Sequence, residues 1–201
     1  MHFMPHERRT LLKMWLLVSL AVSIVLIQHD AEALGGAAFL MTPLLIALFT
    51  VGLGVVLHEV AHKWLAQRYG AHAEFVADNT MLLVGVLLAL FGFLFAAPGA
   101  VHIHHLRDHE KRGRVALAGP MSNFLLALMF FGLWLFVQYP PVERVLSFGS
   151  SINVLIAVFN LIPLGPFDGA KVLGWSKAWY AGSVTACIAL IFFLLANGLW
   201  L

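Results

Sequence analysis

The sequence predicts an all-α polytopic membrane protein with five to six transmembrane segments and a re-entrant helix or extended hairpin around residues 81–106. Three observations predict it. The 201 residues are 61% hydrophobic and 11% charged, with mean hydropathy +0.90, whereas a soluble domain carries about 25% charged residues. Six apolar runs approach the roughly 20 residues that cross a hydrocarbon core. The third of them breaks at Pro98-Gly99 into the extended-looking stretch "AVHIHHL".

In chain order the runs are Leu11–Ile27, Pro43–Leu65, Met81–Ala97, Val115–Val137, Ser150–Pro163 and Gly182–Leu201. The first follows "MHFMPHERRTLLK" and precedes Ala31-Glu32-Ala33, a pattern shared with signal peptides; we read it as an uncleaved membrane helix. Cys187 is the one cysteine, so neither an intrachain disulfide nor a cysteine metal cage is available. No linker or repeat interrupts residues 1–201, which we read as one domain.

Charge decides how the third run behaves. If it dips in and returns, five segments cross, and Arg8, Arg9, Lys13, Lys63, Arg68, Arg107, Lys111, Arg112, Arg114, Lys171 and Lys177 share the cytoplasmic side. Arg144 alone lies outside, so 11 of the 12 Lys and Arg follow the positive-inside bias. If the third run crosses, the split becomes six and six. Five crossings are expected.

The second run ends in Leu57-His58-Glu59-Val60-Ala61-His62. On a helix His58 and His62 project from one face, a spacing that lets two imidazoles share a metal ion with Glu59 close to a metal-bound water. A packing histidine is the alternative. Yet each ionisable group at bilayer depth costs about 2.5–3.5 kcal/mol, and a bound zinc offsets such a cost. A catalytic zinc takes three protein ligands and an open position. Of Asp30, Asp78, Asp108 and Asp168, only Asp168 follows an apolar run amid helix-breaking residues, in "NLIPLGPFDGAKV". With five crossings it shares a membrane face with His58 and His62. A turn-capping role is its alternative.

These residues resemble a known family. HEVAH in a membrane helix, then Gly119-Pro120-Met121-Ser122-Asn123, then Asn160-x-x-Pro163-x-x-x-x-Asp168-Gly169 match the site-2 protease family of intramembrane zinc metalloproteases over about 48–172. The resemblance implies one zinc per chain held by His58, His62 and Asp168, with Glu59 as catalytic acid/base. It further implies that Asn160 and Asn123 bind the substrate backbone or the oxyanion, although an interhelical hydrogen bond would explain either. The substrate class would be transmembrane helices of membrane proteins. The setting would be the lipid bilayer of a prokaryotic cell membrane, with the site near the cytoplasmic side. Phe167 stands where leucine is common, and no PDZ or CBS domain is present. A substrate strand could add to Pro98–Ile103.

Two other readings compete. His102, His104, His105 and His109, with His58 and His62, suggest a membrane di-iron desaturase or hydroxylase, but no histidine follows His109. A pH-sensitive solvated loop explains that cluster as well. A non-catalytic metal-binding membrane protein would have no need of Glu59. No nucleic-acid motif is present.

Overall fold

A computed structural model describes residues 1–30, 38–94, 99–137 and 139–200. The small-residue pattern at 31–33, residues 95–97 of the third apolar run, and Pro98 of the expected edge lie outside the described residues. Among the described residues, eight α-helices and two short strands follow in the order α1 (Pro5–Asp30), α2 (Ala38–Ala47), α3 (Leu53–Arg68), β1 (His72–Ala77), α4 (Asn79–Ala89), β2 (Gly99–His104), α5 (His109–Trp134), α6 (Pro140–Asn160), α7 (Asp168–Trp175) and α8 (Lys177–Ala196). A π-helical turn at Leu48–Gly52 joins α2 to α3, so that Leu40–Arg68 forms one apolar span.

Five helices among the described residues are long and apolar enough to cross a membrane: Pro5–Gln28, Leu40–Arg68, His109–Trp134, Pro140–Asn160 and Lys177–Ala196. The third apolar run does not join them. Its helix α4 has 11 residues, well below the roughly 20 a crossing needs, and Gly92 ends it with φ +80°. The expectation of an all-α polytopic protein with a short helix and extended segment in this region therefore holds, and β1 and β2 pair as a two-stranded sheet.

The chain forms two compact units. The first, residues 1–56 and 74–102, contains α1, α2, the π turn and α4. Its first helix starts earlier than hydropathy alone implied, for a local reason. Pro5 occupies the first helical position, and Glu7 two residues on reaches back to accept from the Met4 N–H at 2.7 Å. The same carboxylate accepts from the Phe75 N–H in β1 at 2.7 Å and is fully buried. Leaving that buried N–H without its acceptor would cost about 1–3 kcal/mol. Along the helix Trp15 donates to the Leu48 carbonyl at 2.9 Å, where the π turn begins. Gln28 donates to the Ala89 and Leu90 carbonyls at 3.3 and 3.1 Å, satisfying the end of α4. Asp78 caps its start, accepting from Thr80 and Met81.

The second unit, residues 57–73 and 103–201, contains most of α3 together with α5, α6, α7 and α8. Asp108 caps α5, which carries its helix through the charged stretch 109–114 ahead of the apolar part. Small residues let α5 and α6 approach closely, as membrane helices require when lipid competes for apolar contact: a side chain at Gly149 would meet the Phe130 ring at 2.8 Å. Buried hydroxyls add further bonds, Ser150 on α6 to the Ala127 carbonyl of α5 at 3.0 Å and Ser151 to the Leu199 carbonyl, beyond the end of α8, at 2.6 Å. Between α6 and α7 the chain turns through Pro163, Gly165 and Pro166. A Cβ on Gly169 would stand 2.1 Å from the Leu161 carbonyl oxygen. Glycine is required there, and the tight return places Asp168 at the start of α7, facing inward and 7% exposed.

Candidate metal centre

His58, His62 and Asp168 come together in the second unit, and all three are buried. His58 and His62 lie one turn apart on α3; Asp168 arrives from α7, 106 residues beyond His62 in sequence. The Nε2 atoms of the two histidines are 3.0 Å apart. Asp168 Oδ2 lies 3.3 Å from His58 Nε2 and 3.0 Å from His62 Nε2. Among the described residues this is the one group of three or more His, Cys, Asp or Glu whose ligand atoms all lie within 4.8 Å of one another.

The partners on the far side of each ring determine what the near side presents. His58 Nδ1 faces Asn123 Oδ1 at 2.7 Å, and His62 Nδ1 faces the Val115 carbonyl oxygen at 2.7 Å. Both partners are acceptors, so both Nδ1 atoms carry the proton and both Nε2 atoms present lone pairs. Two lone pairs and a carboxylate oxygen then converge, and such a set is repulsive unless a cation sits among them. Tetrahedral ligands at zinc distances of about 2.0–2.1 Å stand about 3.3 Å from one another, close to the spacings observed. The residues fit zinc, with one coordination position left for water. Asp168 supplies the third donor as a carboxylate, the ordinary form of an aspartate at neutral pH. Lys171, one turn further along α7, contacts its other oxygen, Oδ1, at 3.1 Å and leaves Oδ2 to the histidines.

The remaining expected site residues are placed differently from one another. Glu59 is half-buried on α3, next to His58 in sequence. Asn123 is fully buried against His58. Asn160 ends α6, and its side chain donates to the Ile156 carbonyl at 3.0 Å within its own helix. His102, His104, His105 and His109 are exposed and contribute no donor to the triad. The His104 ring lies 6.1 Å from that of His72 and 6.4 Å from that of His105. Sequence reasoning missed the Val115 carbonyl, Lys171 and Asn153, whose Oδ1 accepts from Asn123 Nδ2 at 3.0 Å. A carbonyl leaves no trace in a sequence. Lys171 was signalled by its i+3 spacing from Asp168, and Asn153 by being an amide inside an apolar run.

Gly119, read from sequence as structural, forms one wall of the centre. A Cβ there would lie 2.3 Å from His62 Nε2 and 2.6 Å from His58 Nε2. Helix α5 can approach the ligands this closely only as bare backbone. Replacing Gly119 by alanine is therefore expected to lower zinc affinity about 10-fold or more, on the scale of faults that displace ligands, without unfolding the helices. Metal content after dialysis, read beside circular dichroism, checks this; full zinc retention would contradict the wall.

Comparison with known proteins places the chain. It is 42% identical over 142 residues to "Putative zinc metalloprotease MJ0611" of Methanocaldococcus jannaschii, covering 68% of this chain and 73% of that protein. It is 26% identical over 152 residues to "Putative zinc metalloprotease YwhC" of Bacillus subtilis, covering 63% and 66%. With "Zinc metalloprotease MJ0392" of Methanocaldococcus jannaschii it shares 29% identity over 124 residues, 59% of this chain but 30% of that longer protein. No family model matches the chain, and no solved structure matches it significantly. The first relative is similar over most of both chains, and the buried His-x-x-x-His pair with its distant aspartate is the arrangement the motifs implied. The chain belongs to the site-2 protease family of zinc metalloproteases.

Proposed function

We propose that this protein is an intramembrane zinc endopeptidase that hydrolyses peptide bonds in or near transmembrane helices of membrane-protein substrates. One observation carries the reading: three buried zinc-competent ligands converge, two of them from the helix turn that also carries Glu59, in an apolar span. A non-catalytic metal-binding protein would gain nothing from an acid at that position.

His58, His62 and Asp168 hold the ion, and their Nδ1 and Oδ1 partners fix the direction in which each ligand atom points. Zinc held there supplies Lewis acidity and lowers the pKa of a coordinated water to about 7. Glu59 takes the proton from the attacking water and returns it to the amine nitrogen as the C–N bond breaks, leaving a carboxylate and an amine. Asn160, at the mouth of the α6–α7 turn, is the better candidate for contact with the substrate backbone, because the Asn123 oxygen is engaged by His58. The lysine and arginine distribution supports a site that opens toward the cytoplasmic side, where water reaches it.

A helical substrate must unwind before its carbonyls can be attacked, and an extended segment can be held by adding to a sheet edge. On β1 the Phe75 N–H is bound by Glu7, and the Ala73 carbonyl accepts from buried Lys63 at 2.5 Å. These two groups lie on one side of the strand, so that side is capped by side chains. The edge offered to a substrate is therefore on β2, Gly99–His104.

Two experiments test these steps. With a panel of single-span membrane substrates, Glu59→Gln is expected to keep its zinc and lose cleavage by about 10²-fold or more, the range for general acid–base catalysis. Equal cleavage by wild type and variant would end the mechanism. Separately, proline placed in turn at Ala100, Val101, His102 and Ile103 is expected to slow cleavage at the alternate positions whose N–H faces the substrate, with zinc content unchanged. Uniform cleavage across the four would remove β2 from the account.

A further inference from the structure

Both imidazoles of the centre must keep the proton on Nδ1, but their partners differ in how firmly they impose it. Val115 offers His62 a backbone carbonyl, which can only accept. Asn123 offers His58 a carboxamide. Turned over about its last torsion, that carboxamide would present its NH₂ group, favour a bare Nδ1 and drive the proton to Nε2, aimed at the ion. Something has to prevent the turn.

The hydrogen bonds continue in one direction. Asn123 Nδ2 donates to Asn153 Oδ1 at 3.0 Å, and Asn153 Nδ2 donates to the Gly149 carbonyl at 2.8 Å, one turn back on α6. Gly149 O is an acceptor in every state of the protein. It therefore requires the Asn153 nitrogen on its side, which turns Asn153 Oδ1 to Asn123, which requires the Asn123 nitrogen there and turns Asn123 Oδ1 to His58. Each amide is fully buried within a membrane-spanning helix. A reversed amide would set acceptor against acceptor where little water can intervene.

We propose that Asn153 is a positioning residue of this centre: it transmits the fixed polarity of the Gly149 carbonyl through Asn123 and holds His58 as the Nδ1–H tautomer with Nε2 ready to ligate. The proposal rests on the reading of His58 as a zinc ligand and reaches beyond the motifs, none of which contains Asn153. A purely structural role for the Asn123–Asn153 pair would join α5 to α6 without influencing an imidazole on α3.

The test uses the full chain labelled with ¹⁵N-histidine, metal-free, at about pH 8, above the ordinary imidazole range. Correlations between ring nitrogens and carbon-bound ring protons distinguish a protonated from a bare nitrogen. Wild type is expected to show His58 protonated at Nδ1 alone. Asn153→Leu and the smaller Asn153→Ala, two volumes that guard against a packing fault, are expected to mix the tautomers and weaken zinc binding about 10–100-fold, the range for lost outer partners. Because the residues act in series, adding Asn153→Leu to Asn123→Leu should weaken zinc binding no further. Ser150→Ala, which deletes another buried hydrogen bond of α6, should change neither readout. Unmixed tautomers with wild-type zinc affinity in either folded Asn153 variant would overturn the proposal, as would an equal effect of Ser150→Ala. A wild type that binds no zinc would instead overturn the functional reading, while the tautomer comparison still decides the role of Asn153.

Discussion

The structure depends on keeping two imidazole nitrogens and one carboxylate oxygen unprotonated, within 3.3 Å of one another, in a bundle of apolar helices. Left to themselves these groups would separate or take up protons. Every neighbouring feature of the second unit acts against that tendency. The Val115 carbonyl and the Asn123–Asn153 chain hold the protons on the outer ring nitrogens, and Lys171 holds the outer carboxylate oxygen. Gly119 lets a third helix close over the ligands, and Gly169 lets the chain fold back against the Leu161 carbonyl so that Asp168 can arrive. A cation bound among the three atoms would make the arrangement favourable.

That constraint also explains why the centre draws on several helices. An i, i+4 pair supplies two ligands from one helix face, but a third ligand at the same depth must come from a different segment. The α6–α7 turn meets this need because prolines and glycines end α6 abruptly and α7 begins with the ligand itself. The outer partners of the two imidazoles come from α5 and α6 and that of Asp168 from α7 itself, so α3, α5, α6 and α7 each contribute at least one group. The first unit is built on other principles. Its bonds satisfy backbone groups at helix ends and along β1, as Glu7, Gln28 and Asp78 illustrate.

Much of the fold and the centre could be read from residues alone, because the signals were chemical and local. HEVAH fixes two ligands through helical periodicity. Asp168 stood out as the aspartate that follows an apolar run amid helix breakers, and charge asymmetry separated five long helices from the short α4. The parts that were hidden depend on contacts between distant segments. Strand β1 has no distinctive pattern in "HAEFVA", and it is stabilised by Glu7, 68 residues earlier. Helices α1 and α5 begin ahead of their apolar runs because Pro5 with Glu7, and Asp108, cap them in polar stretches that hydropathy passes over. Both motif asparagines read as substrate-binding candidates in sequence, Asn160 the stronger of the two; the structure engages Asn123 with His58 and leaves Asn160 bonded to its own helix.

X-ray absorption at the zinc edge of the purified full chain is the most direct measurement of the central claim. The account predicts one zinc per chain with four light ligands at about 2.0–2.1 Å, two of them showing imidazole scattering, and loss of one oxygen ligand on Asp168→Ala. A spectrum of the wild type that Asp168→Ala leaves unaltered, or one with a single imidazole, would contradict it.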